Sequence, residues 1–427
     1  MRGNTKKFAL KSAVAVAATA AMVVPMAACG SGTAGGGKTK ISFYSYFKDN
    51  QIGEVVKGFE KKNPDITLDV QYGQDPAQCI STLQTRLAGG KPPTIFNLTM
   101  DNRTDVMKSG AALDISGEDF LDGIDDTNFA LFQQDGKTYG MPVSAWVGAF
   151  FYNKDILKKA GYDKFPKTWD EFIEMGKKIN SNGSTAFLED FNTQIAGSFT
   201  GLLASYYGEQ GKSGDLDADI WSGKSTFTKD WTPVFKRWEA AAKAGVIPQK
   251  SIGLSADQVK QEFVSGNLGV MRSGPWDLPD LQKSDIDFGV APFPAYSKED
   301  GQWINGGPDQ GFAIASKASD KEKAAAKKFL AYLNSEEGLE AFTSAAGTLS
   351  LSSKYNAEPP AELKDVVDNY FKQNKFYWVN WPKSPTVMST EGIAQQQKIV
   401  QGQISAKDAA KALDCLLYTS PSPRDRS

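Results

Sequence analysis

Residues 41–72 read ISFYSYFKDNQIGEVVKGFEKKNPDITLDVQY, and the order of patterns in them decides the fold class. Ile41 to Tyr46 is apolar and aromatic and predicts a strand, after which Ile52, Val55, Val56 and Phe59 recur at helical spacing. Asn63-Pro64-Asp65 is a turn, and Ile66, Leu68 and Val70 then alternate as a second strand. A further helix leads to Gly89-Gly90-Lys91-Pro92-Pro93 and a third strand from Thr94 to Leu98. Strands alternating with helices predict βαβ units on a largely parallel sheet. The pattern continues along the chain. Thr168-Trp169-Asp170-Glu171 is a capping box before Phe172, Ile173, Met175 and Ile179. Ser319-Asp320 opens a helix with Ala325, Phe329, Tyr332 and Leu333 on one face, and Ser405-Ala406-Lys407-Asp408 opens the last. The fold class is α/β.

Both ends of the chain read differently from its body. Arg2, Lys6, Lys7 and Lys11 precede an apolar run from Ala13 to Met26, closed by Ala27-Ala28-Cys29-Gly30. This is the layout of an export signal, and the run is shorter than the ~20 residues a membrane span needs. The cysteine after two alanines resembles a bacterial lipobox, with Met26 where leucine is more usual. That resemblance implies residues 1–28 as a lipoprotein signal peptide and a lipid on Cys29; an ordinary secretory signal is the alternative. Residues 29–40 form a Gly/Ser/Thr/Lys tether that reaches at most ~40 Å when extended. At the other end, residues 415–427 (CLLYTSPSPRDRS) resemble translated sequencing-adapter read-through and read as a non-native tail.

Composition narrows the function. Lys and Arg total 48 against 50 Asp and Glu, a net charge of -2 that favours neither nucleic acid nor an anionic lipid surface as partner. The chain has no histidine, which removes Ser/His/Asp and Cys/His triads and the commonest zinc ligand. Carboxylate-pair hydrolysis stays open, because it needs only two acids. Of three cysteines, Cys79 lies on an amphipathic stretch with Ile80, Leu83 and Leu87 and reads as a buried small hydrophobe. No disulfide framework, metal spacing or cofactor motif appears.

Six segments, in order, resemble the carbohydrate-binding solute-binding proteins of ABC importers, the maltose-binding-protein-like family. They are Phe59-Glu60-Lys61-Lys62-Asn63-Pro64, Asp135-Gly136-Lys137-Thr138-Tyr139-Gly140-Met141-Pro142, Phe151-Tyr152-Asn153-Lys154-Asp155, Pro166 to Phe172, Gly274-Pro275-Trp276, and Asn305-Gly306-Gly307 before Gly311-Phe312-Ala313-Ile314. The resemblance implies a two-lobed periplasmic-binding-protein-like fold, each lobe a mostly parallel sheet flanked by helices, with hinge strands between them. The expected first lobe is 41–147 plus about 311–352, and the second is 148–310 plus about 353–414. Hinge crossings are expected near Ser144 to Phe151, Gln302 to Gly311 and Leu349 to Pro360.

A sugar offers C–H faces and a hydroxyl rim, so its site needs flat aromatic rings and polar side chains. Carried onto this chain, the family pattern makes Trp276 and Trp146 the first candidates, each with core packing as the alternative. Tyr46 and Phe47 end the first strand, and Asn97, Thr99 and Asp101 follow the third. Asp190, Phe191 and Asn192 are expected from the second lobe, and Gly307 and Asp309 from the hinge. Trp378, Trp381 and Ser389 to Glu391 lie in another recurring contact region, with core packing the better reading for at least one tryptophan. Trp169, Trp221, Trp231 and Trp238 read as structural.

The expectation is a monomeric, lipid-anchored binding protein outside the cell that takes an oligosaccharide, delivers it to ABC permease subunits, and uses no cofactor. The alternatives are a receptor for a non-carbohydrate solute, or an exported glycoside hydrolase or polysaccharide-binding accessory. A phosphorylated solute would call for an arginine in the cleft, and the candidates above include none.

Overall fold

The computed structural model describes residues 38–73, 76–99, 102–191, 194–214, 216–356, 358–379 and 386–419. The expected signal peptide, Cys29, Asp101, Asn192 and Trp381 lie outside the described residues. In chain order the strands are β1 (Thr39–Ser45), β2 (Ile66–Tyr72), β3 (Ile95–Leu98), the short pair β4 (Gln133–Gln134) and β5 (Lys137–Thr138), and the long β6 (Ser144–Asn153). They continue as β7 (Thr185–Leu188), β8 (Leu268–Ser273), β9 (Phe288–Ala291), β10 (Asn305–Pro308), β11 (Gly311–Ile314) and β12 (Leu349–Ser350).

The first sheet has the order β11-β3-β1-β2, with β1 parallel to both neighbours and β11 antiparallel to β3. Alternation along β1 sends Ile41 and Phe43 to one core and Tyr44 to the opposite face. The helix Asp49–Lys62 buries Ile52, Val55, Val56 and Phe59 over the first of these faces. Asp320–Leu333 and Glu336–Ala346, which come from far along the chain, complete the same core. Cys79 is buried under the other face, beside Leu83 and Phe96.

The second sheet runs β10-β6-β8-β7, with β9 and β12 also on β6. Only β7 and β8 pair in parallel; every partner of β6 is antiparallel to it. The expectation of a mostly parallel sheet therefore holds for the first lobe and not the second. The difference lies in β6, which at ten residues is long enough to take β10 and β12 near its hinge end and β8 and β9 farther along, all of them antiparallel. Phe150 on β6 packs with Phe172, Phe187 and Phe293, and each fully buried phenyl ring contributes roughly 1.5–3 kcal/mol. The helix Trp169–Ser181 starts at the expected capping box: Thr168 accepts from the Glu171 N–H, and the Glu171 carboxylate accepts from the Thr168 N–H. Trp169, Trp231 and Trp238 are fully buried.

Three crossings join the lobes. Met141 bridges Phe312 in the first sheet, whereas Ser144 pairs with Ser350 in the second, so the chain changes sheets between 141 and 144. It returns between Pro308 and Gly311. The third is a longer passage, from Leu349 and Ser350 paired with β6, past Ser352, which bridges Ile124 of the first lobe, to Leu363 in the second core. Trp146 and Val147, expected at the end of the first lobe, thus lie on a strand of the second sheet. The last helix, Ala406–Thr419, runs through Cys415, with Leu416 and Leu417 half-covered by the second-lobe core. No helix among the described residues is long and apolar enough to cross a membrane.

Candidate ligand site

Where β6 enters the second sheet, its alternation puts Trp146, Gly148 and Phe150 on one face, and Arg272 of β8 pairs directly with Phe150. Phe150 belongs to the core. Two pleats nearer the hinge, the same face carries Trp146 into a cluster of indoles. Trp146 meets Trp378 edge-on at 5.2 Å between ring centroids and Trp276 at 6.3 Å. Trp276 stands on the short turn Pro275–Asp277 after β8 and is 41% exposed, whereas Trp378 is only 9% exposed. The expectation of a core tryptophan near the end of the chain fits Trp378, yet that ring forms the back of the cluster.

Trp378 is held in place through its neighbour Tyr377. The backbone N–H of Tyr377 donates to Ile304 at 3.0 Å, and the Tyr377 hydroxyl donates to the buried Asp217 carboxylate at 3.2 Å. Asp217 also accepts from the Tyr207 hydroxyl and Trp231 Nε1, at 2.9 and 3.0 Å. A fully buried carboxylate survives here because donors surround it.

Arg272 sits in the middle of the indoles. Its guanidinium carbon lies 5.3, 5.3 and 5.1 Å from the centroids of Trp146, Trp276 and Trp378. Burial draws its pKa below the usual arginine range, while the charges of Glu189, Asp190 and Asp277 oppose that shift. Glu189, just past β7, is buried and accepts from the Ser198 N–H at 2.9 Å and from the Ser198 hydroxyl. It thereby caps the helix Gly197–Glu209, whose own N-cap residue, Ala196, has no side-chain acceptor. Burial pushes the Glu189 carboxyl up to about 7 despite these bonds and Arg272. Sequence reasoning did not find Arg272 or Glu189. The available signal was a charge one residue from the end of the apolar strand Leu268–Ser273.

The remaining candidates separate into those that join this cluster and those that do not. Gly307 pairs with Trp146, and a side chain added there would meet nothing within 4 Å, so the floor beside Trp146 is open. Asp309 follows at the hinge, opposite Ser144 and partly exposed. Asp190 is half-buried near Arg272. From the first lobe, Tyr46 is half-buried, and its N–H donates to Asn97 Oδ1 at 2.9 Å. Asn97 and Thr99 are buried, and Asn97 Nδ2 and Thr99 Oγ1 have no hydrogen-bond partner among the described residues. Phe47 and Phe191 point inward instead. Phe47 is 3% exposed and packs on Phe312 and Phe342, and Phe191 meets Trp238 in the second-lobe core. As placed, neither ring offers a free face to a ligand.

A surface depression of about 700 Å³ lies elsewhere, on the second lobe around Tyr162, Phe165, Pro166 and Asp170. It lacks convergent buried polar groups. The indole cluster, with open floor and orphaned polar atoms nearby, is the better site.

Residues 38–340 match the family described as bacterial extracellular solute-binding protein. A solved structure of a family 1 extracellular solute-binding protein from Bifidobacterium longum subsp. infantis is 98% identical, covers 90% of this chain and 100% of that one, and superposes with a TM-score of 0.78. The multiple sugar-binding protein of Streptococcus mutans is 22% identical over 372 residues, spanning 83% of this chain and 86% of its own. A maltodextrin-binding protein of Bacillus subtilis is 27% identical over 349 residues, 78% of this chain and 79% of its own. With two sheets joined by three crossings and a family match over most of its length, the chain belongs to the bacterial extracellular solute-binding proteins.

Proposed function

We propose that the chain is a lipid-anchored receptor that captures an oligosaccharide between its lobes and delivers it to an ABC permease, without chemistry of its own. The observation that carries this reading is the wall formed by Trp146, Trp276 and Trp378, with Trp276 turned 41% to solvent. An exposed indole face backed by further indoles suits the C–H face of a pyranose, and Asp190, Asp309 and Tyr46 suit its hydroxyl rim. The relatives named for multiple sugars and maltodextrin support the same class of ligand. Lipid attachment at Cys29 rests on the Ala27-Ala28-Cys29-Gly30 pattern alone.

Lobe closure supplies the mechanism. Sugar meets the second-lobe wall, and contacts from Tyr46 and the ends of β1 and β3 favour the closed form to the extent of their differential affinity. A micromolar receptor needs about -8 kcal/mol in total, within reach of two or three stacked rings and a satisfied rim.

A second reading, an anionic solute, has Arg272 in its favour. Against it, that cation already faces Glu189, Asp190 and Asp277. Tryptophan-fluorescence titration of the chain from Gly30 onward against malto-, xylo-, chito- and galacto-oligosaccharides, with uronic and phosphorylated sugars alongside, separates the two readings. Saturable binding by one linkage class, lost in Trp276→Ala, is the expected result. Response only to uronic or phosphorylated sugars would favour the second, and silence towards every glycan from a folded protein would remove carbohydrate from consideration.

A further inference from the structure

Arg272 is built into its place by absences. A Cβ on Gly148 would come 3.3 Å from both Nε and Nη2 of Arg272 and 3.2 Å from the Trp146 ring. On Gly197 it would come 3.1 Å from Arg272 Nε, 3.0 Å from Glu189 Oε1 and 2.6 Å from Asn305 Oδ1. On Gly274 it would come 2.3 and 2.4 Å from two carbons of the six-membered ring of Trp276. Three glycines from three separate elements thus clear a slot for one arginine and the indole folded over it. Arg272 Nε and Asn305 Oδ1, at that slot, have no hydrogen-bond partner among the described residues.

This is an unusual way to house a charge, and it invites the reading of an anion hook. The surroundings argue otherwise. The guanidinium carbon is nearly equidistant from three indole centroids, and three carboxylates already lie in its field. A planar, weakly hydrated cation is suited to stacking on aromatic faces, where a lysine ammonium would hold its water. A solvent-exposed indole such as Trp276 would otherwise populate several rotamers, and fixing one on binding costs affinity.

We propose that Arg272 is a positioning residue of the saccharide site: threaded between Trp146, Trp276 and Trp378, it holds the aromatic wall in one orientation before sugar arrives. This rests on the reading of the wall as the sugar platform, and it adds a specificity consequence. With Arg272 flanked by three indoles and its charge offset by three neighbouring carboxylates, the wall selects for an uncharged saccharide face and gives no advantage to an acidic one.

The test reads the unliganded full chain first. Indoles this close give an exciton couplet in circular dichroism, assigned by its loss in Trp276→Ala and in Trp378→Ala. Arg272→Gln should abolish the couplet with far-ultraviolet helix content unchanged, and Arg272→Lys should restore part of it. Acrylamide quenching of Trp276 should rise in the same order. Maltotriose and trigalacturonate are then titrated as neutral and acidic probes. A neutral trisaccharide that binds the unaltered protein should bind Arg272→Gln roughly tenfold more weakly, with partial recovery in Arg272→Lys. An unchanged couplet in Arg272→Gln overturns the proposal, as does selective loss of trigalacturonate binding with the couplet intact. If Arg272→Gln does not fold, Gly148→Ala, which presses a methyl group on the guanidinium, takes its place with the same expected loss of couplet. If neither sugar binds the unaltered protein, the function reading is what suffers, and the couplet still decides Arg272.

Discussion

The backbone N–H of Asp309 donates to the carbonyl oxygen of Ser144 at 2.8 Å, and the N–H of Leu351 donates to Val143 at 3.0 Å. The second and third crossings are therefore tied to the first at residues 143–144, and the half-buried Asp309 side chain leaves the backbone at that point.

Although Asp309 keeps part of its surface in solvent, the protein packed around its carboxyl pushes that group up to about 7, with the Gln310 N–H pulling it partly back. The folded protein then binds this proton more tightly than the unfolded chain, whose aspartate titrates near 4. Its stabilising contribution is complete below about pH 4 and is lost as pH rises through about 7. Asp309→Asn should flatten the fall of melting temperature across that window. Glu189 shifts in the same direction and leaves a residual slope. A variant that follows the unaltered protein point for point would show that Asp309 is solvated like any surface acid.

Gly347 ends the helix Glu336–Ala346 in the left-handed conformation, with φ of 65°. A Cβ there would also come 3.3 Å from the carbonyl oxygen of Pro275, on the opposite lobe. Gly347→Ala should lose about 1–2 kcal/mol from the backbone strain alone. It should also weaken ligand binding more than that loss of stability explains, because the methyl group sits between the lobes. Calorimetric melting beside a binding titration separates the two, and unchanged affinity would confine the effect to the helix end.

Asp414 accepts the N–H groups of Phe227 and Thr228, at 2.7 and 2.9 Å. These open the short helix Phe227–Asp230. Asp414→Ala should cost about 1–2 kcal/mol, as the loss of a helix cap does, seen as a lower urea midpoint at constant m-value. A midpoint within error of the parent would mean that water replaces the carboxylate freely.

Of the two described cysteines, Cys79 is buried and Cys415 exposed, and neither is in a disulfide. Dithionitrobenzoate should label Cys415 at once and Cys79 only on unfolding. Rapid labelling of both in native buffer would mean that the helix carrying Cys79 opens locally.

Local signals in the sequence were reliable where a single element decides. The Thr168–Glu171 capping box, the turn at Asn63-Pro64 and the apolar face of residues 52–59 all depend on neighbours within one or two turns, and all are present. Strand-end direction was harder. Tyr46 and Phe47 are adjacent, so both cannot face the cleft; Phe47 turned inward because Phe312 and Phe342, supplied from almost 300 residues away, complete a pocket for it. Arg272 was hidden for the same reason. Its neighbours come from β6, from the turn after β8 and from the segment before residue 380, and no local pattern links them. Pairing across long separations, rather than propensity, wrote that part of the site.

Ala406–Thr419 packs on Phe227–Asp230 and Thr232–Lys243, elements made nearly two hundred residues earlier. Without those turns, the second lobe would keep a strip of apolar surface uncovered and the Phe227 and Thr228 amides uncapped. A member of an extracellular family must pass its chain outward before it can be used. A lobe closed by contacts this far apart in the chain stays pliable for that passage, and it becomes resistant only once both partners are on the same side.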